Sequence, residues 1–174
     1  MRTKKAIMIF TALAVISTAL AACARPASTP AEASVLKSDK PRITSPASSE
    51  GELDELVSDN GAFAFDLYRQ LKTEDGNVFY SPYSISQALA MTYAGARGET
   101  EAEMANTLYF GLPQEDLHPA FNLLDMELAG RGEGAEGKDD GGFRLNIVNA
   151  IWGQKDYEFL AAFLDTLAEN YGAG

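Results

Sequence analysis

Cysteine and histidine are almost missing: the 174 residues carry one of each, Cys23 and His118. A single cysteine excludes a disulfide within the chain and the Cys-rich sets that hold structural zinc. With one histidine and no thiol or second ligand spaced near it, neither a hydrolase triad nor a His-based metal centre can be assembled, so no cofactor, no metal and no catalytic residue is expected. His118 itself stands before Pro119 at a helix start and reads as a packing residue. Positive charge is also scarce. Lys and Arg number 14 against 25 Asp and Glu, a formal net charge of -11. An acidic body repels phosphate backbones, which argues against nucleic-acid binding.

Long apolar runs are missing too, apart from Ala6 to Leu20, which follows a basic start and is too short for a convincing membrane span. Residues 1–22 therefore read as an export signal. Leu20-Ala21-Ala22-Cys23 resembles a bacterial lipobox, in which the cysteine is lipidated and becomes the new N-terminus. The alternative is a plain secretory cleavage with Cys23 incidental. Acyl chains contribute about 0.8 kcal/mol per buried CH₂, so two or three would hold the protein stably on a membrane. The expected location is the cell envelope, anchored to the outer face of a membrane through Cys23, or the extracellular space. Residues 23–50 are rich in Ala, Ser, Thr and Pro without periodicity, the composition of a flexible tether reaching on the order of 30 Å.

What is present from residue 51 to 174 is one modest globular domain, since 46% of the chain is hydrophobic and 10% aromatic. Leu53, Leu56, Val57, Phe63, Ala64, Leu67, Tyr68 and Leu71 fall at helical spacing and predict an amphipathic helix ending near Lys72. Val78 to Tyr80, behind the turn cluster Asp75-Gly76-Asn77, predict a short strand. Ser81 before Pro82 is a helix start, with a hydroxyl cap and a proline where no N–H is needed. The helix that follows is apolar nearly all round, through Ile85, Ala88, Leu89, Ala90, Met91, Tyr93 and Ala94, and is expected to be buried. Gly95 to Gly98 stop it, and Thr100 with Glu103 predicts a capping box for the next helix. A core helix followed by a surface helix accounts for all of this without catalysis.

Gly111-Leu112-Pro113 breaks the chain. Leu117, Phe121, Leu124 and Leu128 then form the stripe of a helix between Glu115 and Ala129. Gly130 to Gly142 is glycine-rich and acidic; no strand precedes it and no Gly-Lys-Ser/Thr follows, so it reads as a solvated loop and not a phosphate cradle. Phe143 to Trp152 alternates Phe143, Leu145, Ile147, Asn149 and Ile151 against Arg144, Asn146, Val148, Ala150 and Trp152, the pattern of a strand covered on both sides. Phe159, Leu160, Phe163, Leu164, Leu167 and Tyr171 mark a last helix.

The string from Asn77 to Phe110, NVFYSPYSISQALAMTYAGARGETEAEMANTLYF, resembles the helix B and helix C region of the serpins. A second match is Leu145 to Gly172, with Leu-Asn-Ile-Val-Asn-Ala-Ile-Trp-Gly-Gln-Lys, Phe159-Leu, Phe163-Leu and Tyr171-Gly-Ala, similar to strand 2A and helix E. Leu117-His118-Pro119-Ala120-Phe121-Asn122 resembles the entry to helix D. The resemblance runs in register from Leu53 to Gly174. It implies an α+β serpin fold in its N-terminal portion only, helices A to E with strands 6B and 2A.

By that resemblance the full-length parent inhibits serine, or less often cysteine, proteases as a suicide substrate: the protease cuts an exposed reactive loop, which then inserts into a sheet as an extra strand. Five helices with apolar stripes and one lone central-looking strand do not make a closed sheet, so the chain is expected to be truncated before the reactive loop and inactive alone. The family's reactive bond has no counterpart in these residues. Ser81 and Ser84 match family positions beneath the opening of the main sheet, the shutter region, and Asn149 is a third candidate for the sheet interior; N-cap and first-turn polar roles would explain the two serines equally well. Glu115, Asp116, Asp125 and Glu127 make the helix D region acidic, against the basic face that binds heparin in some members, so heparin binding is not expected. The other reading is a non-inhibitory envelope lipoprotein that uses the fold as a binding or structural module.

Overall fold

Serine and glutamate open the first helix. Ser49 accepts a hydrogen bond from the Glu52 N–H at 3.3 Å, and the Glu52 carboxylate accepts one from the Ser49 N–H at 2.7 Å. This capping box, four residues upstream of the expected periodic stripe, sets the start of α1 at Glu50, and the helix runs to Leu71. The computed structural model describes residues 35–73, 76–131, 145, 147–154 and 156–173. The export signal, Cys23 and the acidic glycine-rich stretch from residue 132 on lie outside the described residues, as do Phe143, Arg144 and Asn146.

Four more helices follow among the described residues: α2 (Pro82–Tyr93), α3 (Glu99–Leu108), α4 (Gln114–Gly130) and α5 (Ala161–Tyr171). Helix α1 packs on α2, α3 and α4, and α5 packs on α4. Ser81 caps α2 as expected, its hydroxyl accepting from the Ser84 N–H, with Pro82 at the first position. From Pro82 to Met91 no residue of this helix is exposed, which meets the expectation of a helix covered all round.

The start of α3 departs from expectation. Its N-cap is Gly98, at φ 62°, with no side-chain hydrogen bond, so the Thr100–Glu103 capping box is not formed. Glycine reaches that left-handed φ at little cost and turns the chain into the helix two residues early, which leaves Thr100 inside the first turn with helical backbone. Glu99 and Glu101 then offer negative charge to the helix N-terminus. The Gly95–Gly98 turn is tied to α4 by Arg97, which donates to the carbonyls of Ala94 and Ala96 and to Gln114.

Helix α4 tolerates Pro119 in its second turn. The missing N–H leaves the Glu115 carbonyl without its helical donor at a residue that is exposed to solvent, where the loss is least costly. Gly111, just before α4, lies close to the acidic side chains of α1: a Cβ there would lie 2.7 Å from Glu55 Oε1, and its N–H donates to Asp59 at 3.0 Å.

No strand is formed among the described residues, so the β part of the expected α+β fold is not seen. Residues 78–80 and 147–152 carry no ladder because a strand's N–H and C=O groups need a neighbour, and none lies beside them here. The alternation is still visible. Ile147, Asn149 and Ile151 are partly covered while Val148, Ala150 and Trp152 are exposed. The Tyr80 hydroxyl, donating to the Ala64 carbonyl at 3.0 Å, holds the other segment to α1.

The core gathers Leu56 and Phe63 of α1, Ala90 and Tyr93 of α2, Leu108 of α3, and Leu117, Ala120 and Phe121 of α4, with Phe110 and Leu112 from the loop before α4. Val57, Tyr68 and Leu71, expected on the apolar stripe of α1, stay largely exposed, since its neighbours cover only the Leu56–Phe63 side. Phe121 lies at the centre with 0% exposure, its ring centroid 5.9 Å from Phe110 and 6.4 Å from Tyr83. Replacing Phe121 with Ala should cost about 3–5 kcal/mol, the range for emptying a well-packed aromatic site, readable as a shift of the denaturant midpoint. A change under about 1 kcal/mol would mean that the aromatic cluster does not hold the helices together.

Candidate functional site

Polar side chains link α2 to α4. At the start of α2 Ser81 donates to the Ser84 hydroxyl at 3.0 Å, so both serines act as the N-cap and first turn of that helix. One turn on, the buried Gln87 accepts from the Asn149 amide at 2.5 Å. The same Gln87 donates to the Tyr83 hydroxyl at 3.2 Å and, at 3.4 Å, to Asp125 of α4.

Asp125 also holds Arg42 through a 2.7 Å ion pair, and Arg42 donates to Asn122 at 2.8 Å. Burial raises the Tyr83 hydroxyl pKa far above its ordinary value, with the Asp125 charge adding to the effect. The phenol therefore stays neutral and works as a hydrogen-bonding group.

The three expected shutter residues are thus brought to one side of α2 without forming one hydrogen-bonded set. Asn149 reaches α2 through Gln87, whereas Ser81 and Ser84 bond to each other. Five members of the connection lie outside the expected set: Tyr83, Gln87, Asp125, Arg42 and Asn122. Gln87 had a readable signal, as a long polar side chain on an otherwise apolar helix three residues after Ser84. Asn122 had another, sitting beside Phe121 in the apolar part of α4. Arg42 had none, because it lies in the segment whose composition reads as tether.

His118 is buried one turn before Asn122. Its Nδ1 shares a 2.7 Å hydrogen bond with the Tyr171 hydroxyl of α5, and the rings of Tyr93 and Tyr171 lie 6.4 and 5.8 Å from it. Its Nε2 has no partner among the described residues. Burial first, and the nearby Arg97 charge second, push its pKa down to about 4. Tyr171 is driven well above its ordinary value, chiefly by burial. A neutral imidazole against a neutral phenol packs the α4–α5 contact. Ser86, fully buried, has its hydroxyl unpartnered among the described residues, with no base positioned to activate it. Among those residues no group of three His, Cys, Asp or Glu could hold a metal ion.

A family profile described as "Serpin (serine protease inhibitor)" matches residues 58–174. Among curated proteins, the chain is similar to leukocyte elastase inhibitor of Equus caballus, 39% identical over 123 residues. It is also similar to leukocyte elastase inhibitor A of Rattus norvegicus (37%) and leukocyte elastase inhibitor of Homo sapiens (36%), each over the same length. Each match covers 70% of this chain and 30% of the relative, so the chain spans about a third of the length of the curated relatives it matches.

His118 supplies a pH dependence. Its folded-state pKa lies below the ordinary 6.5, so above pH 6.5 it takes no proton in either state. As pH falls from 6.5 through about 4 the unfolded chain binds the proton first, and the folded state loses on the order of 3 kcal/mol. The NMR titration of this histidine should have its midpoint near pH 4. A midpoint near 6.5 would show that the ring is not buried as described.

Proposed function

Because the chain belongs to the serpin family, we propose that the protein containing these residues inhibits serine endopeptidases by the suicide-substrate route. In this reading the protease serine attacks the scissile carbonyl of an exposed reactive loop, the amine side leaves, and an acyl-enzyme forms. The loop then inserts as a strand into the main sheet before water can release the acyl group. The observation that carries the reading is the profile match across residues 58–174, joined by relatives named as elastase inhibitors. Elastase-like serine proteases are therefore the first targets to try. The protein is an inhibitor and not an enzyme, as its family is.

Within this reading the residues here supply a structural share of the machine. Ser81 and Ser84 open α2, and Asn149 reaches the same helix through Gln87. That leaves the residue 147–152 segment with one partly covered face and, among the described residues, no backbone ladder, a form suited to receive neighbouring strands. No stretch of the 174 residues resembles a reactive loop, so these residues expressed alone are proposed to be inactive. Specificity would reside in that loop. The acidic side chains of α4, Glu115, Asp116, Asp125 and Glu127, argue against heparin as a partner.

We further propose that the protein is exported and held in the cell envelope by lipid at Cys23, as the Leu20-Ala21-Ala22-Cys23 pattern implies. Among the described residues no helix is long and apolar enough to cross a membrane.

Mixing the whole protein with an elastase-type protease should yield a complex that survives denaturing electrophoresis, while residues 1–174 alone should yield none. Cleavage of the whole protein without a trapped complex would overturn inhibition in favour of a substrate or non-inhibitory role. Cys23→Ala should move the protein from the membrane to the soluble fraction and abolish labelling by radioactive fatty acid. Unchanged labelling would rule out Cys23 as the lipidated residue.

A further inference from the structure

Residues 38–43 lie outside the 58–174 match, in a segment whose composition reads as flexible tether. They are nevertheless seated between α4 and α5 by both side chains and backbone. Ser38 donates to Asp165 at 2.6 Å, and the Lys40 ammonium lies 3.2 Å from Asp165 and 3.0 Å from Glu169. Arg42 forks, one nitrogen to Asn122 and another to Asp125. Ile43 then closes the contact with its main chain: its N–H donates to the Glu169 carbonyl at 2.8 Å, and its C=O accepts from the Asn122 amide at 2.8 Å.

The receiving side is built for this occupant. Asn122 is completely buried, and its amide finds its partners in Arg42, in the Ile43 carbonyl and, more distantly, in the Glu169 carbonyl. Removing the segment would leave the Asn122 oxygen and most of its donor capacity unpaired, which a buried amide does not tolerate cheaply. The Glu169 carbonyl belongs to the last turn of α5, where helical partners run out, and the Ile43 N–H supplies one. Gly172, at φ 61°, leaves room beside the Arg42 stem: a Cβ there would lie 3.3 Å from Arg42 Cδ. The acidic side chains Asp125, Asp165 and Glu169 meet the two cations of the segment, Lys40 and Arg42. Consistent with this, the hydrogen bonds of Glu169 and then Asp165 raise the Lys40 pKa.

The contact does not end at the surface. Asp125 binds Arg42 with one oxygen and accepts from Gln87 with the other, and Gln87 accepts from Asn149. We propose that Ser38–Ile43 is a strap whose seat is the acidic groove between α4 and α5, and that its seating is transmitted through Asp125 and Gln87 to the Asn149 segment. Arg42 and Asp125 are positioning residues in this device. Loss of the strap frees Asp125, loosens the Gln87 side chain, and so releases residues 147–152 from α2. The strap exists whether or not the whole protein inhibits proteases.

Hydrogen exchange read by mass spectrometry on the whole protein separates these steps. In the unaltered protein the Ile43 amide should exchange slowly, as a main-chain donor held in a 2.8 Å hydrogen bond does. Arg42→Ala should speed exchange at Ile43 by about 10- to 100-fold, the range for losing charge-assisted hydrogen bonds at a part-buried cation. It should also speed exchange in the 147–152 segment, while α1 retains its protection. Lys40→Glu, at a side chain 48% exposed and therefore harmless to folding, should loosen Ile43 by placing like charge against Asp165 and Glu169, an effect that shrinks in high salt. An Ile43 amide that exchanges freely in the unaltered protein would overturn the strap. Faster exchange at Ile43 with no change at residues 147–152 in Arg42→Ala would overturn the transmission.

Discussion

The domain depends on the complete burial of Phe121. Its ring meets Tyr83 of α2, Phe110 of the α3–α4 loop and Tyr171 of α5 at 5.9 to 6.4 Å. One side chain thereby brings three separate parts of the chain onto α4. Aromatic rings at tilted and edge contacts add a directional preference to the burial of apolar area, which fixes how the helices face one another. The buried polar groups of α4 are placed by this arrangement, because His118 and Asn122 share the inner side of that helix with Phe121 and are buried with it.

Burying those polar groups creates demands that the neighbouring elements meet. His118 finds the Tyr171 hydroxyl, and the low dielectric around it keeps the ring neutral. Asn122 finds Arg42 and Ile43, which no helix provides. A buried amide with no partner in its own helix needs one from elsewhere, and the chain preceding α1 supplies it. In a protein with 25 acidic and 14 basic residues the few cations matter by placement. Lys40 and Arg42 each face two groups on α4 or α5, while Arg97 binds carbonyls at the turn into α3.

Membership of the serpin family and the strap belong to different parts of the chain. The family match begins at residue 58, within α1, whereas the strap spans residues 38–43. They meet at Asp125 and Gln87. A feature of the segment before the family domain therefore contacts the side chains that hold the residue 147–152 segment, the segment that resembles a sheet strand. The chemistry of the connection is ordinary hydrogen bonding and charge pairing. Its reach comes from Asp125 binding two partners and Gln87 three.

Local chemistry was legible in the residue order. Ser81-Pro82 specified the start of α2, the continuous apolar surface of that helix announced its burial, and the Leu117, Phe121, Leu124 stripe located α4, because caps and 3.6-residue periodicity act over one or two turns. Alternation along residues 147–152 likewise survives as alternating exposure. The start of α3 differs from the pattern because Thr100–Glu103 and Gly98 are both valid openings, and the turn geometry selects the glycine. The capping box at Ser49 lies at the end of a stretch whose composition reads as tether. The seating of Arg42 and Ile43 could only be decided by tertiary structure, since a basic residue in a Ser/Pro-rich stretch has no periodicity to betray it, and its binding site is divided between two helices about 80 and 125 positions later in the chain. Sequence alone determined which segments coil and which faces are apolar, because those are short-range properties of the backbone and its side chains. Only the folded structure decided which buried polar group meets which partner, because that depends on distances set by how the helices pack.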